Sequence, residues 1–214
     1  MHARLNKLNA ARTFALYAMA LAAFPLHAFT INITAANPRT IYLQVGVGAF
    51  SANYNVGGTP QDNTTINAVS VTVPAAQVGT GAAQTMTTNS TMGASFYDGF
   101  VFCNAPAQLY IGGFYRSVAA GGAATVRATV PVSLVNAGGN TIPFSQISWT
   151  SAGNGDGAAP QPFPAGTFAP GVQVIGSIAR NQWAESCHTF AYANSNVVAS
   201  GTYTGRVTYT LATP

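Results

Sequence analysis

His188 stands beside Cys187, and it is the one histidine downstream of residue 27. Acid–base or nucleophilic chemistry near neutral pH asks for such a group with a partner, either a carboxylate that orients it or a hydroxyl or thiol that it activates. The carboxylates on offer are Asp62, Asp98, Asp156 and Glu185. Serines are plentiful, but no Gly-x-Ser-x-Gly elbow, Walker-type loop or dinucleotide fingerprint occurs among the 22 glycines. An imidazole between Cys187 and Phe190 reads as a packed residue, not as a base. Structural zinc normally takes four protein ligands, and Cys103, Cys187 and one histidine fall short of that set. No catalytic, cofactor-binding or metal-ligating residue is therefore expected, and the chain is expected not to be an enzyme.

The pairing of Cys103 with Cys187 depends on the compartment. The chain opens with Arg4, Lys7 and Arg12, continues in an apolar stretch over 14–24 and breaks at Pro25, followed by Leu26-His27-Ala28. That is the layout of a secretory signal peptide over residues 1–28, and it implies export. An uncleaved anchor would need roughly 20 apolar residues. In an oxidising compartment the two cysteines are expected to form a disulfide. With the leader removed, five arginines face four acids, a formal charge of +1, and no lysine remains. So few cations cannot build a nucleic-acid surface. Charged residues are only 6% of the chain, so Thr, Ser, Asn, Gln and Gly must supply its wet surface.

A period of two runs through the rest of the chain. Ile41, Leu43, Val45 and Val47 alternate with Tyr42, Gln44 and two glycines, which predicts a strand with one core face. Val69, Val71 and Val73 repeat the pattern. Further strands are expected over 95–103, 108–115, 125–135, 144–150, 172–178, 188–193 and 202–211, all rich in β-branched and aromatic residues. Between them lie turn formers, among them 55–58, Gly112-Gly113, Gly121-Gly122 and 136–140. Pro131 should make 125–135 an edge strand, bulge it or split it. Residues 151–170 read as a flexible loop or a surface excursion, and 75–89 as a short helix or weak strand. Trp149 is expected in the core and Trp183, two residues before Glu185, at the surface. Together these features predict an all-β sandwich.

The final strand carries the most specific pattern. Gly201-Thr202-Tyr203-Thr204-Gly205-Arg206-Val207-Thr208-Tyr209-Thr210-Leu211 sets Tyr203, Val207, Tyr209 and Leu211 on one face, three residues before the end of the sequence. Over about the last 30 residues the chain resembles bacterial pilus subunits of the chaperone–usher route, including relatives with a spore-coat-U-like domain, whose closing strand has the form Gly-x-Tyr-x-Gly-x-Val-x-Tyr/Phe-x-Leu/Val. It departs from typical members in its late cysteines and greater length. The resemblance implies an immunoglobulin-like sandwich that lacks its last strand and leaves a groove beside the C-terminal one. A periplasmic chaperone would first fill that groove. At the outer-membrane usher, the N-terminal extension of a neighbouring pilus subunit would replace it, by strand addition. Tyr203, Val207, Tyr209 and Leu211 would then form one groove wall.

A donor strand should lie near the mature N-terminus. Phe29, Ile31 and Ile33 alternate with Thr30, Asn32 and Thr34, and 35–38 supplies a hinge. Residues 29–40 thus read as an N-terminal extension and 41–214 as the sandwich domain. Residues 41–47 are a second donor candidate, although their pattern better fits the first strand of the fold. The implied function is an exported structural subunit of a surface fimbria that polymerises by donor-strand exchange and supports adhesion, passing through the periplasm to the cell surface. The alternative is a secreted lectin-like sandwich, an adhesin whose partner is a glycan or surface receptor bound through Trp149 or Trp183 and exposed tyrosines.

Overall fold

The computed structural model describes residues 30–214; the expected leader and Phe29 lie outside them. Fourteen strands follow in order: β1 Thr30–Asn32, β2 Thr40–Val45, β3 Val69–Ser70, β4 Gln84–Thr85, β5 Thr87–Thr88, β6 Leu109–Arg116, β7 Ala124–Val130, β8 Ser133–Val135, β9 Thr141–Pro143, β10 Ile147–Ala152, β11 Gly166–Thr167, β12 Gly171–Ile178, β13 Gln182–Tyr192 and β14 Thr208–Ala212. The only helical turns among the described residues are three 3-10 turns, at Tyr54–Val56, Ala75–Gln77 and Phe144–Gln146. The chain is an all-β sandwich, as its alternation requires.

The larger sheet runs β11-β10-β13-β6-β2 and the smaller β12-β7-β14, both through antiparallel pairs. β13 organises the larger sheet. Its first half lies between β6 and β1, and its second half pairs with β10, with β4 joining at Ala191 and Tyr192. The pleat sends Ile111 and Tyr115 of β6, Trp149 of β10 and Phe190 of β13 toward Val126 of β7 and Ile175 and Ile178 of β12. Each such side chain is buried, and full burial contributes about 1.5–3 kcal/mol apiece.

Several expectations change on contact with this packing. The 125–135 run is split at Pro131 into β7 and β8, yet β7 is the central strand of its sheet and not an edge. Residues 95–103 form no strand. Ser95 Oγ accepts the Tyr97 amide and Asp98 Oδ1 the Phe100 amide, so local side-chain bonds turn the chain back on itself at Gly99, where φ is +84°. Gly112 and Gly113 make no turn; they sit inside β6, where a Cβ on Gly113 would strike the Tyr42 carbonyl. Residues 151–170 do not float: Phe163 and Phe168 plug the core, and the Phe163 and Pro164 carbonyls accept Ser151 Oγ and Trp149 Nε1 at 2.7 and 2.9 Å.

The largest correction concerns Trp183, expected at the surface but with no exposed area at all. Residues from two irregular segments lay a third layer over the outer face of the larger sheet. Phe50, Tyr54 and Tyr97 reach over the sheet there and pack their rings 5.6–5.9 Å from Trp183. Trp149 is in the core as expected, stacked on His188 at 5.6 Å. Neither tryptophan is free to stack on a sugar. The Cys103–Cys187 disulfide is present, Cα atoms 5.5 Å apart, and fastens this outer layer to β13 beside the buried rings of Phe102 and Tyr110.

Candidate functional site

Among the described residues, β14 pairs with β7 on one side only, and β2 pairs only with β6. The two unpaired edges face each other where the sheets meet, joined at one end by the Arg39 guanidinium, which donates to the Pro214 carbonyl at 3.4 Å. Beyond Val45 the β2 line continues. The Val47 amide donates to Asn67 Oδ1 at 2.6 Å, and further on Val69, Val71 and Val73 pack against the same core. The result is a seam between the two sheets, in which β2 and β14 approach within 8 Å, Cα to Cα, without main-chain pairing.

Burial along the two walls distinguishes them from the interior. Val126 and Ile111, on the strands next inward, are fully covered. Leu43, Val45, Val207, Tyr209 and Leu211 point into the same core but remain half-open, alternating on β14 with exposed Thr208 and Thr210. Three of the four expected wall residues therefore line up in one row. Tyr203 packs on the same core further along; its hydroxyl donates to the Ala199 carbonyl at 2.8 Å, and Thr204 beside it pairs with Val135. Burial raises the Tyr209 hydroxyl above its ordinary pKa, so it is a neutral wall residue at any physiological pH.

The expected donor residues lie elsewhere. Ile31 is in β1, opposite Trp183 of the chain's own β13, and the Ile33 amide donates to the Asn181 carbonyl at 2.8 Å. Phe29 is outside the described residues. The second candidate, 41–47, contributes β2, an integral strand with six register pairs to β6.

Sequence reasoning missed a buried polar cluster under the outer layer. Glu185, 2% exposed, accepts at Oε2 from Tyr110 OH at 2.6 Å, Ser95 Oγ at 2.7 Å and Trp183 Nε1 at 3.0 Å. Burial pushes its carboxyl up to about 7 against the pull of those three donors. Its place three residues before His188 reads as a possible pair, but the pleat sends them to opposite faces of β13. His188 is fully buried on the core side, with Nε2 2.9 Å from the Phe163 carbonyl, and burial lowers it to about 4. Since a carbonyl can only accept, Nε2 carries the proton. The two titratable groups form no common site, and no trio of His, Cys, Asp or Glu gathers for a metal among the described residues.

Their pH effects oppose each other. Glu185 holds a proton in the folded state up to about pH 7 and in the unfolded chain only to about 4.5, so its contribution is full below 4.5 and is lost as pH rises to 7. His188 stays neutral in the fold down to about 4 while the unfolded imidazole charges below 6.5, so its contribution is full above 6.5 and is lost as pH falls to 4. Each is worth about 3 kcal/mol across its window. Between pH 7 and 4 the two are expected to cancel in urea titrations of the native chain. Glu185→Gln should leave a fall of about 3 kcal/mol on acidification, and His188→Gln a rise of similar size; parallel profiles for all three would contradict this assignment.

Comparison of the chain with family models, with curated proteins and with solved structures returns no match.

Proposed function

We propose that the chain is an exported structural subunit of a surface fimbria, and that a β-strand from a neighbouring subunit completes it along the groove between β2 and β14. The observation that carries this reading is the pair of unpaired strand edges facing one another across half-open apolar side chains, at the closing strand that resembles that of pilus subunits. Monomeric proteins usually blunt such edges with charges, prolines or bulges. From Val207 to Thr213 this strand has neither a charge nor a proline. A strand inserted there, with β2 and β14 parted to about 10 Å, would gain main-chain hydrogen bonds from both edges and place alternate side chains between Leu43 and Val45 on one wall and Tyr209 and Leu211 on the other. In this reading a periplasmic chaperone fills the groove first, and the usher exchanges its strand for the neighbour's. The role needs no catalytic residue and no cofactor.

Thermal unfolding with an added strand tests it. A synthetic peptide of residues 29–36 at about one hundred times its Kd should stabilise the chain by about 3 kcal/mol, a rise of roughly 6–12 °C at this size. The same peptide with Asp at both isoleucines should do nothing, and Tyr209→Asp in the protein should abolish the response. An unmoved melting temperature at saturating peptide would count against the groove as a strand acceptor.

A further inference from the structure

The loop that follows β10 carries the one Asn-Gly step in the chain, Asn154-Gly155. We propose that this step is a gated self-modification site: contacts with the outer layer hold Asn154 unreacted, and when that layer lifts, the side-chain amide is lost through a cyclic imide and the contacts cannot be remade.

The chemistry needs only this chain and water. The Gly155 amide nitrogen gives its proton to solvent and bonds to Asn154 Cγ; the Cγ–Nδ2 bond breaks, and Nδ2 takes a proton and leaves as ammonia. Water then opens the imide, at Cγ to give aspartate or at the main-chain carbonyl to give isoaspartate. Attack within one chain is fast once the reacting atoms can meet. A glycine in the second position puts no Cβ in the way of the ring. Gly155 is exposed with φ at +87°, and a Cβ there would meet nothing closer than the Phe100 ring at 3.8 Å.

The fold withholds that meeting. Asn154 Nδ2 donates to the Val101 carbonyl at 3.0 Å and to Asn104 Oδ1 at 3.2 Å, while Asn154 Oδ1 accepts from Asn104 Nδ2 at 3.1 Å. The main chain is pinned as well: the Asn154 amide donates to the Phe102 carbonyl at 2.8 Å and the Asp156 amide to the Gly153 carbonyl at 3.3 Å. All three side-chain bonds thus end in residues 101–104, the stretch that closes the outer layer and holds Cys103 of the disulfide. Ring closure draws Cγ to the Gly155 nitrogen and expels Nδ2, so it cannot proceed with these bonds in place and waits on local opening. The product remakes only part of the clamp. A carboxylate accepts from Asn104 Nδ2 but has no donor for the Val101 carbonyl or Asn104 Oδ1, and it sets negative charge beside both. Release of the layer at this point is therefore one-way.

Peptide mapping by mass spectrometry of the whole, disulfide-bonded chain, aged in mildly alkaline buffer, reads conversion at Asn154 directly. Each hydrogen bond lost raises the open population about two- to tenfold, so Asn104→Ala, which removes two of the three, should speed conversion by about tenfold. In urea the parent and the variant should react equally fast, and faster than the folded parent. A folded parent that converts as fast as it does in urea would show that the fold does not gate the site. A folded Asn104→Ala chain no faster than the parent would show that the clamp does not. Either result overturns the proposal. The one-way release is read on Asn154→Asp, which carries the product's charge from the start. Limited proteolysis should cut it within 92–102 about two- to tenfold faster than the parent, with β7 cut no sooner; unchanged cleavage would overturn the release.

Discussion

Trp183→Ala is expected to cost about 4–5 kcal/mol, lowering the melting temperature by roughly 10–20 °C. The ring is wholly covered and is the hub on which Tyr42, Phe50, Tyr54, Tyr97 and Phe114 converge, with centroids at 5.6–6.1 Å. Two losses combine in the truncation. The first is the transfer and cavity cost of a large aromatic side chain, which irregular segments above it can only partly relieve. The second is the indole N–H, one of three donors to Glu185 Oε2. Removing that donor drives the carboxyl higher still, so the damage should grow with pH above neutrality. Trp183→Phe separates the two: it keeps most of the ring packing and forfeits the donor, for about 1–3 kcal/mol. Equal effects of Ala and Phe in urea titrations at pH 7 would show that packing is not the larger part.

Removing the disulfide should be nearly as severe. The bond spans 84 residues of sequence, for which the chain-entropy model gives about 4 kcal/mol, and the melting temperature should fall by roughly 8–16 °C in the Cys103→Ala/Cys187→Ala chain. The location sharpens the expectation. Cys103 ends the returning segment that brings Phe96–Phe102 over the larger sheet, and Cys187 lies at the middle of β13 where its partner changes from β6 to β10. Loss of the tie should therefore show first in the outer layer. Limited proteolysis of the double variant is expected to cut within 48–66 or 92–102 before it cuts β7 or β12; simultaneous loss of all segments would mean the layer is not a separate shell.

The strands were legible where one face meets the core and the other meets water. β7 follows its alternation and Pro131 splits the run where its missing amide requires, whereas a bulge between Val174 and Gly176 shifts β12, so that Val172 and Val174 stay exposed and Ile175 and Ile178 are buried. The core-facing row of the last strand was legible too, because Val207, Tyr209 and Leu211 keep the period of two. What stayed hidden was the outer layer. Glu185 sits in a strand buried on both faces, and a carboxylate beside a tryptophan reads as surface unless the covering loops are known. Those loops come from segments far away in sequence, and their aromatic residues, Phe50, Tyr54 and Tyr97, carry no periodic signal. Likewise 95–103 has strand composition but Ser95, Asp98 and Gly99 bond locally and turn it. The resting place of Ile31 on β13 depends on its pairing with Trp183, far away in sequence, which no local pattern encodes.

Hydrogen exchange along β14 asks the central question most directly. Read segment by segment in the whole chain, with and without the 29–36 peptide, the amides of Thr208–Ala212 that face the open side should exchange freely when the groove is vacant and slow by about tenfold or more when a strand fills it. Protection should appear together on β2 and β14, the two walls, and not on β12, the opposite edge of the smaller sheet. Exchange on β14 that is already slow without peptide, or that stays fast at saturation, would contradict an acceptor groove between β2 and β14.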